Sequence, residues 1–448
     1  MFDPSIEYGI LGMARSGISA AAKISELGGR AFLSEKQSRE SIAEADELSR
    51  IYDCEFGGHS DRLLSCPIWI VSPGIPLDVP IIEKGKAHGI KMISEIEFGY
   101  QIKAPDSKII AITGSNGKST TASLIHHILT NLGQKSILAG NIGDAFCSFP
   151  IHKPGIDYVV LEISSFQLDL ISDFAPHIAI LTNLTPDHLN RYKDFDDYCQ
   201  SKMKIFSNQN EQDYAVIYKD SREISKRVGA IRSRMLSFSS DNDHADAFRK
   251  GKFLHVHDTE ISVYDLKLMG MHNQLNVMAA ALSVIALGFD ASTALHASKS
   301  FRSLPHRLEF VGSINGVSFY NDSKATNTDS SKSALEAFER PIRIILGGSD
   351  KGEDYGLLTD SLQRHAIKAY IVGESKDKMR QAWLGKLPLA FFDDFEDCVR
   401  TALEESTIGD NVVLSPACAS FDLFKNFEHR GESFKKIIRD LKREKEQA

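Results

Sequence analysis

The apolar run Ile109-Ile-Ala-Ile-Thr113 opens into Gly114-Ser-Asn-Gly-Lys-Ser-Thr120, and a helical pattern then continues to Leu132. A buried strand, a glycine turn and a helix start in direct succession demand an α/β unit whose loop turns backbone N–H groups toward an anion. Gly114, Ser115, Asn116 and Gly117 form the expected phosphate cradle. Lys118 reaches the terminal phosphates, and Ser119 or Thr120 offers a hydroxyl to Mg²⁺. The general pattern has another glycine five residues before Gly117, where this chain carries Ile112.

The same alternation of short apolar runs with helical patterns fills the rest of the chain, which predicts α/β architecture with mainly parallel sheets. At 448 residues the chain exceeds what one core usually organises. Three domains are expected: a Rossmann-like domain over 1–104, a central phosphate-loop domain over 105–303 and a C-terminal Rossmann-like domain over 304–448. The first opens with Glu7-Tyr-Gly-Ile-Leu-Gly-Met-Ala-Arg-Ser-Gly17, an apolar strand running into a small-residue turn. That turn is similar to a dinucleotide fingerprint whose middle glycine is replaced by Ala14, with Glu35 at a ribose-reading distance. Further runs at Ala31–Leu33 and Ile68–Val71 end in Ser34-Glu35-Lys36 and Ser72-Pro73-Gly74, so loops collect at strand ends.

A net charge of -8 without a local basic patch excludes general affinity for nucleic acid. The six cysteines form no CxxC pair or zinc-like cluster, and no secretion signal is recognisable, so reduced thiols in a cytoplasm are expected. Val277 to Phe289 is the longest apolar run; interrupted by Ser283 and Gly288, it is too short to span a bilayer and reads as a buried helix. Lys435 to Ala448 reads as a solvated amphipathic helix.

Three further residues stand out by position. Glu162 ends the run Tyr158-Val-Val-Leu, which places a carboxylate at a strand's carboxyl end where Mg²⁺ on a nucleotide would be met through oxygen. His188 follows another strand in a polar loop; alone, it would be a hydrogen-bonded structural histidine. Lys202 sits on the helical stretch Tyr198 to Phe206, where a surface lysine is the plain reading.

Thr113-Gly-Ser-Asn-Gly-Lys-Ser-Thr120 resembles the ATP loop of the Mur ligases and folylpolyglutamate synthase. Gly140-Asn-Ile-Gly143, Glu162-Ile-Ser-Ser-Phe-Gln167, Thr182-Asn-Leu-Thr-Pro-Asp-His188, Leu304-Pro-His-Arg307 and Asn321-Asp-Ser-Lys-Ala-Thr-Asn327 resemble Mur ligase blocks in the family's order. The segment Ser415 to Phe427 is similar to the D-glutamate-adding branch.

The resemblance implies an ATP-dependent amide ligase acting on UDP-N-acetylmuramoyl-L-alanine and D-glutamate through an acyl phosphate, in peptidoglycan precursor synthesis. It assigns Lys118, Glu162, His188 and Lys202 to catalysis, with Ser119, Glu162, His188 and a carbamylated Lys202 holding Mg²⁺, two ions being expected. Asn273 and Asn276 are expected near adenine, and Arg307 and Asp322 near the ATP phosphates and ribose. Ser16, Gly17, Lys36, Ser72, Asn141 and His188 are implied for the UDP substrate; Lys324, Thr326, Lys351, Ser420 and Phe427 for D-glutamate. A cytoplasmic monomer with closure of the C-terminal domain is expected. The diaminopimelate-adding string Asp-Asn-Pro-Arg is absent. A dinucleotide oxidoreductase would leave the ATP loop, Glu162 and His188 unused, and a non-catalytic nucleotide-sugar binder would not need Lys118, Glu162, His188 and Lys202 intact.

Overall fold

The computed structural model describes residues 2–187 and 191–447. It divides into two compact units, one of Met1–Ser262 with Leu275–Ser298 and one of Val263–Gln274 with Lys299–Ala448. The helix Met271–Ala286 spans the division.

The first unit contains two sheets. β1 (Glu7–Leu11), β2 (Arg30–Ser34), β3 (Asp53–Glu55), β4 (Ile68–Val71) and β5 (Lys91–Ile93) pair in the order β3-β2-β1-β4-β5, parallel throughout. β1 lies between β2 and β4, so the loops after these strands converge at the point where strand order reverses.

The second sheet comprises β6 (Lys108–Thr113), β7 (Ser136–Gly140), β8 (Tyr158–Glu162), β9 (Ile178–Leu181), β10 (Tyr214–Tyr218), β11 (Arg234–Ser239), β12 (Ala247–Lys250), β13 (Phe253–Val256) and β14 (Thr259–Ser262). Its order is β14-β13-β12-β11-β10-β9-β6-β8-β7, with antiparallel pairing confined to β12, β13 and β14. β6, buried from Ile109 to Thr113, sits between β8 and β9 and is covered by the helix Lys118–Asn131. Its near-continuous apolar run is what a strand covered on both faces requires.

In the second unit β15 (Glu309–Ile314), β16 (Val317–Asn321), β17 (Ile342–Leu346), β18 (Ala366–Val372), β19 (Leu389–Phe392) and β20 (Asn411–Leu414) pair as β15-β16-β20-β17-β18-β19. Only β15 is antiparallel to its neighbour. The loops after β16, β20 and β17 therefore leave adjacent strands in the same direction.

The helices expected at Thr120–Leu132 and over Val277–Phe289 form as Lys118–Asn131 and Met271–Ala286. The C-terminal helix differs from its sequence reading. It runs Phe427–Gln447 and buries Phe434, Ile438 and Leu441 in the core beside β16 and β20, so only its far end is a solvated helix. Among the described residues no helix is long and apolar enough to cross a membrane.

Gly17 shows how closely the first unit is packed. A Cβ there would lie 2.1 Å from the Gly12 carbonyl oxygen, a backbone atom that cannot step aside. Gly17→Ala should therefore displace the helix Arg15–Glu26 and destabilise the protein by about 1–3 kcal/mol. An unchanged urea midpoint would show that the contact relaxes without cost.

Candidate active site

The loop after β6 is shaped from outside by the loop after β9. Asn183 Oδ1 accepts the Asn116 N–H at 2.8 Å, and Thr182 Oγ1 donates to the Asn116 carbonyl at 2.6 Å. Ser115 N donates to the Asn183 carbonyl at 3.1 Å, while its hydroxyl lies 2.8 Å from the Thr185 carbonyl and 2.9 Å from the Tyr198 hydroxyl. Gly114 is obligatory: its φ is +146°, and a Cβ would come within 2.0 Å of Thr182 Oγ1. Gly117 (φ +85°) starts the helix, and Asn276 lies against it while accepting the Thr121 hydroxyl at 3.1 Å. Asn276, expected near adenine, is thus held at the phosphate loop's helix. Ser119 and Thr120 are buried in that helix's first turn. Lys118 Nζ donates to the Gly114 and Ser115 carbonyls at 2.9 and 2.7 Å.

Beside this loop a buried carboxylate and a buried amine share one electrostatic environment. Glu162, at the end of β8, accepts from Asn141 Nδ2 at 2.8 Å, which places Asn141 against the carboxylate. Lys202, on the helix Phe195–Met203, is 2% exposed and lies 4.8 Å over the Tyr198 ring. Burial pushes its ammonium well below the ordinary lysine range, and Lys118 adds repulsion; Asp187 and Glu162 pull the other way. A surface lysine is therefore the wrong reading of this position. His188 lies outside the described residues. Among the described residues, no three His, Cys, Asp or Glu side chains gather as a metal site.

The first sheet presents Gly12, Ser34 and Ser72 at its strand ends, with Ser16 in the first turn of the helix Arg15–Glu26. Ser72 Oγ donates to the Gly12 carbonyl at 3.0 Å, which ties together the loops after β1 and β4. Glu35 turns toward backbone amides of two loops: Oε2 accepts the Met13 N–H at 2.7 Å and Oε1 accepts the Gln37 N–H at 3.0 Å. Its carboxylate occupies an amide of the turn that a dinucleotide pyrophosphate would approach. Lys36 is exposed, Ser16 half-buried and Gly17 buried against Gly12.

In the second unit, Asn273 Nδ2 donates to the Met269 carbonyl at 2.7 Å. Asp322 accepts from Ser415 Oγ at 2.8 Å and Leu308 N at 3.1 Å; burial raises its carboxyl to about 7 against the pull of those bonds and of Arg307. Lys324 Nζ lies 5.0 Å over the Phe427 ring, so Phe427 serves as a platform for a cation. Thr326 is half-buried, Ser420 buried and Lys351 exposed, and they sit in loops after β16, β20 and β17 respectively.

Asn183, Tyr198 and Arg191 were not singled out in the sequence. Arg191 donates to the Gly74, Pro73 and Ile75 carbonyls at 3.1, 3.3 and 3.3 Å, and its guanidinium lies 4.3 Å over Phe166. The block Thr182-Asn-Leu-Thr was the available signal for Asn183; nothing local marks the others.

A phosphate loop braced by a neighbouring strand end, with a buried carboxylate and amine beside it, defines an α/β nucleotide-binding protein of the phosphate-loop type. Residues 112–284 match the Mur ligase middle domain, and residues 306–418 match the Mur ligase glutamate ligase domain. The chain is 39% identical to UDP-N-acetylmuramoylalanine--D-glutamate ligase of Cytophaga hutchinsonii, covering 96% of this chain and 98% of that one. It is 38% identical to the Salinibacter ruber protein of the same name, covering 96% and 97%. The chain belongs to the Mur ligase family, in the branch of these D-glutamate ligases. Its fold is similar to that of MurF ligase from Thermotoga maritima in complex with ADP (TM-score 0.64, 16% identity, 97% and 95% coverage). It is also similar to UDP-N-acetylmuramate-alanine ligase MurC from the same organism (TM-score 0.62, 18% identity, 98% and 100% coverage).

Asn183→Ala removes two of the bonds that hold Asn116, leaving Thr182 Oγ1 on its carbonyl, and should weaken ATP binding about 10-fold. Titration calorimetry giving an unaltered affinity would mean that the loop keeps its shape without this brace.

Proposed function

We propose that this chain joins D-glutamate to UDP-N-acetylmuramoyl-L-alanine with cleavage of ATP to ADP and phosphate, as a monomeric cytoplasmic enzyme of peptidoglycan precursor synthesis. The observation that carries the reading is whole-chain identity of 39% to a ligase of that name, joined to a phosphate loop lying beside Glu162 and Lys202. An oxygen of the alanyl carboxylate attacks the γ-phosphorus and ADP leaves. The nitrogen of D-glutamate then attacks the acyl carbon, phosphate leaves and the amine gives up its proton. Lys118 and the loop amides offset charge gathering on the transferred phosphoryl group.

The donor chemistry fits magnesium, which takes its remaining oxygens from phosphate and water. Glu162 and the Ser119 hydroxyl are hard oxygen donors, His188 is assigned by resemblance, and Lys202 adds an oxygen only as a carbamate. When bound, the metal supplies charge neutralisation at the phosphates. Lys202 is suited to the change because burial favours its neutral amine, whose nitrogen lone pair can attack carbon dioxide; the product carbamate forms with loss of a proton. Isotopically labelled bicarbonate should give a carbamate carbon resonance near neutral pH that Lys202→Met lacks. A spectrum without that resonance in the native protein would remove Lys202 from the ligand set.

On this reading, Ser16, Lys36 and Ser72 meet the UDP substrate, and Asn141 orients Glu162 as well as facing the sugar nucleotide. Arg307, Asp322 and Asn273 complete the ATP contacts. Lys324, Thr326, Lys351 and Ser420 read the two carboxylates of D-glutamate, with Phe427 holding Lys324.

Phosphate release should occur with ATP, Mg²⁺, UDP-N-acetylmuramoyl-L-alanine and D-glutamate, and not with L-glutamate, meso-diaminopimelate or L-lysine. Turnover with another amino acid would overturn the pocket assignment, and no turnover would reduce the protein to a nucleotide-sugar binder.

A further inference from the structure

Arg430, on the first turns of the helix Phe427–Gln447, is 2% exposed. Its guanidinium makes four hydrogen bonds, and every acceptor is uncharged. Nε donates to Ser323 Oγ at 3.0 Å and Nη2 to the Ser323 carbonyl at 2.8 Å. Nη2 also donates to the Cys418 carbonyl at 3.0 Å, and Nη1 to the Ala419 carbonyl at 3.0 Å. Desolvation outweighs the attraction of the Asp422 and Asp322 carboxylates near the guanidinium, and a neutral side chain could tie together two loops at lower cost. The placement therefore calls for a reason beyond stability.

The acceptors supply that reason. Ser323 directly precedes Lys324 in the loop after β16, and Ala419 directly precedes Ser420 in the loop after β20. The third loop is tied to the same point: the Ala419 carbonyl also accepts the Ser349 N–H at 3.0 Å, two residues before Lys351. Gly348 leaves room for the guanidinium, since a Cβ there would lie 3.0 Å from Nη1. The Ser323 hydroxyl, having accepted from Arg430, donates to the Phe427 carbonyl at 2.8 Å, next to the ring under Lys324. One planar fork thus fixes, directly or through one shared carbonyl, the three loops that carry Lys324, Ser420 and Lys351.

We infer that Arg430 is the positioning residue of the amino-acid pocket: its fork sets the spacing of the groups that read a dicarboxylate, and its buried charge adds attraction for that anion from behind them. This rests on the assignment of the pocket to D-glutamate. A lysine would keep the charge but present a point donor instead of a fork, so charge and geometry can be separated by substitution.

The experiment uses the protein with Arg430→Lys, Arg430→Gln and the milder Ser323→Ala. It reads KM for D-glutamate, KM for ATP and for the sugar nucleotide, and acyl phosphate trapped by borohydride when no amino acid is present. Arg430→Gln should raise KM for D-glutamate about 10- to 100-fold, with trapped acyl phosphate and the other two KM values unchanged. Arg430→Lys should fall between it and the native enzyme, and Ser323→Ala should show a smaller rise in the same constant even if the arginine variants fail to fold. Variants that lose acyl phosphate formation in step with D-glutamate use, or that leave KM for D-glutamate unmoved, would overturn the inference. A native enzyme that uses a different amino acid would instead overturn the pocket assignment.

Discussion

The brace between the loops after β6 and β9 is the interaction on which the first unit's chemistry depends. A phosphate loop binds through backbone amides, which act as a cradle only if their directions are fixed before the anion arrives. Gly114 allows the turn but cannot hold it, because the freedom that admits φ +146° admits many other conformations. Thr182 and Asn183 remove that freedom by bonding both the N–H and the carbonyl of Asn116. They can do so because β6 and β9 are neighbours in the sheet. Strand order, not the loop sequence alone, pre-organises the cradle.

The same logic of strand ends recurs in the second unit with a different binding agent. There the loops leave β16, β20 and β17, which are adjacent and parallel, and the tie is a buried arginine from a helix that follows them in the chain. Both arrangements use parallel pairing to bring loops from distant chain positions to one edge, then use polar bonds to set their spacing. The parallel strands supply proximity; the side-chain bonds supply definition.

What the sequence disclosed follows from how far each interaction reaches along the chain. The strand, turn and helix around Lys118 are contiguous, so their pattern could be read directly and the structure places them as expected. Edge strands such as β15 and the hairpin β13–β14 were not recognised, because exposed antiparallel strands carry mixed polar residues and no continuous apolar run. The bond from Arg430 to Ser323 spans 107 residues, and the Asn116 amide meets its partner 67 residues away; neither leaves a local trace. Ser72 and Glu35 were visible by position, but their use in tying their loops to the loop after β1 was not.

Lys202 shows most sharply why burial changes the meaning of a residue type. On the helix Phe195–Met203 a lysine at that position is compatible with a solvated face, and its neighbours Gln200 and Lys204 do not say otherwise. Packed against Tyr198 and facing another cation at Lys118, it is a poor place to keep a positive charge. Two carboxylates, Glu162 and Asp187, stabilise that charge without overcoming desolvation, so the site favours a neutral nitrogen set among groups suited to a cation. On the reading proposed above, a carbamate on this nitrogen would place an anion beside Lys118 and exchange a repulsion for an attraction.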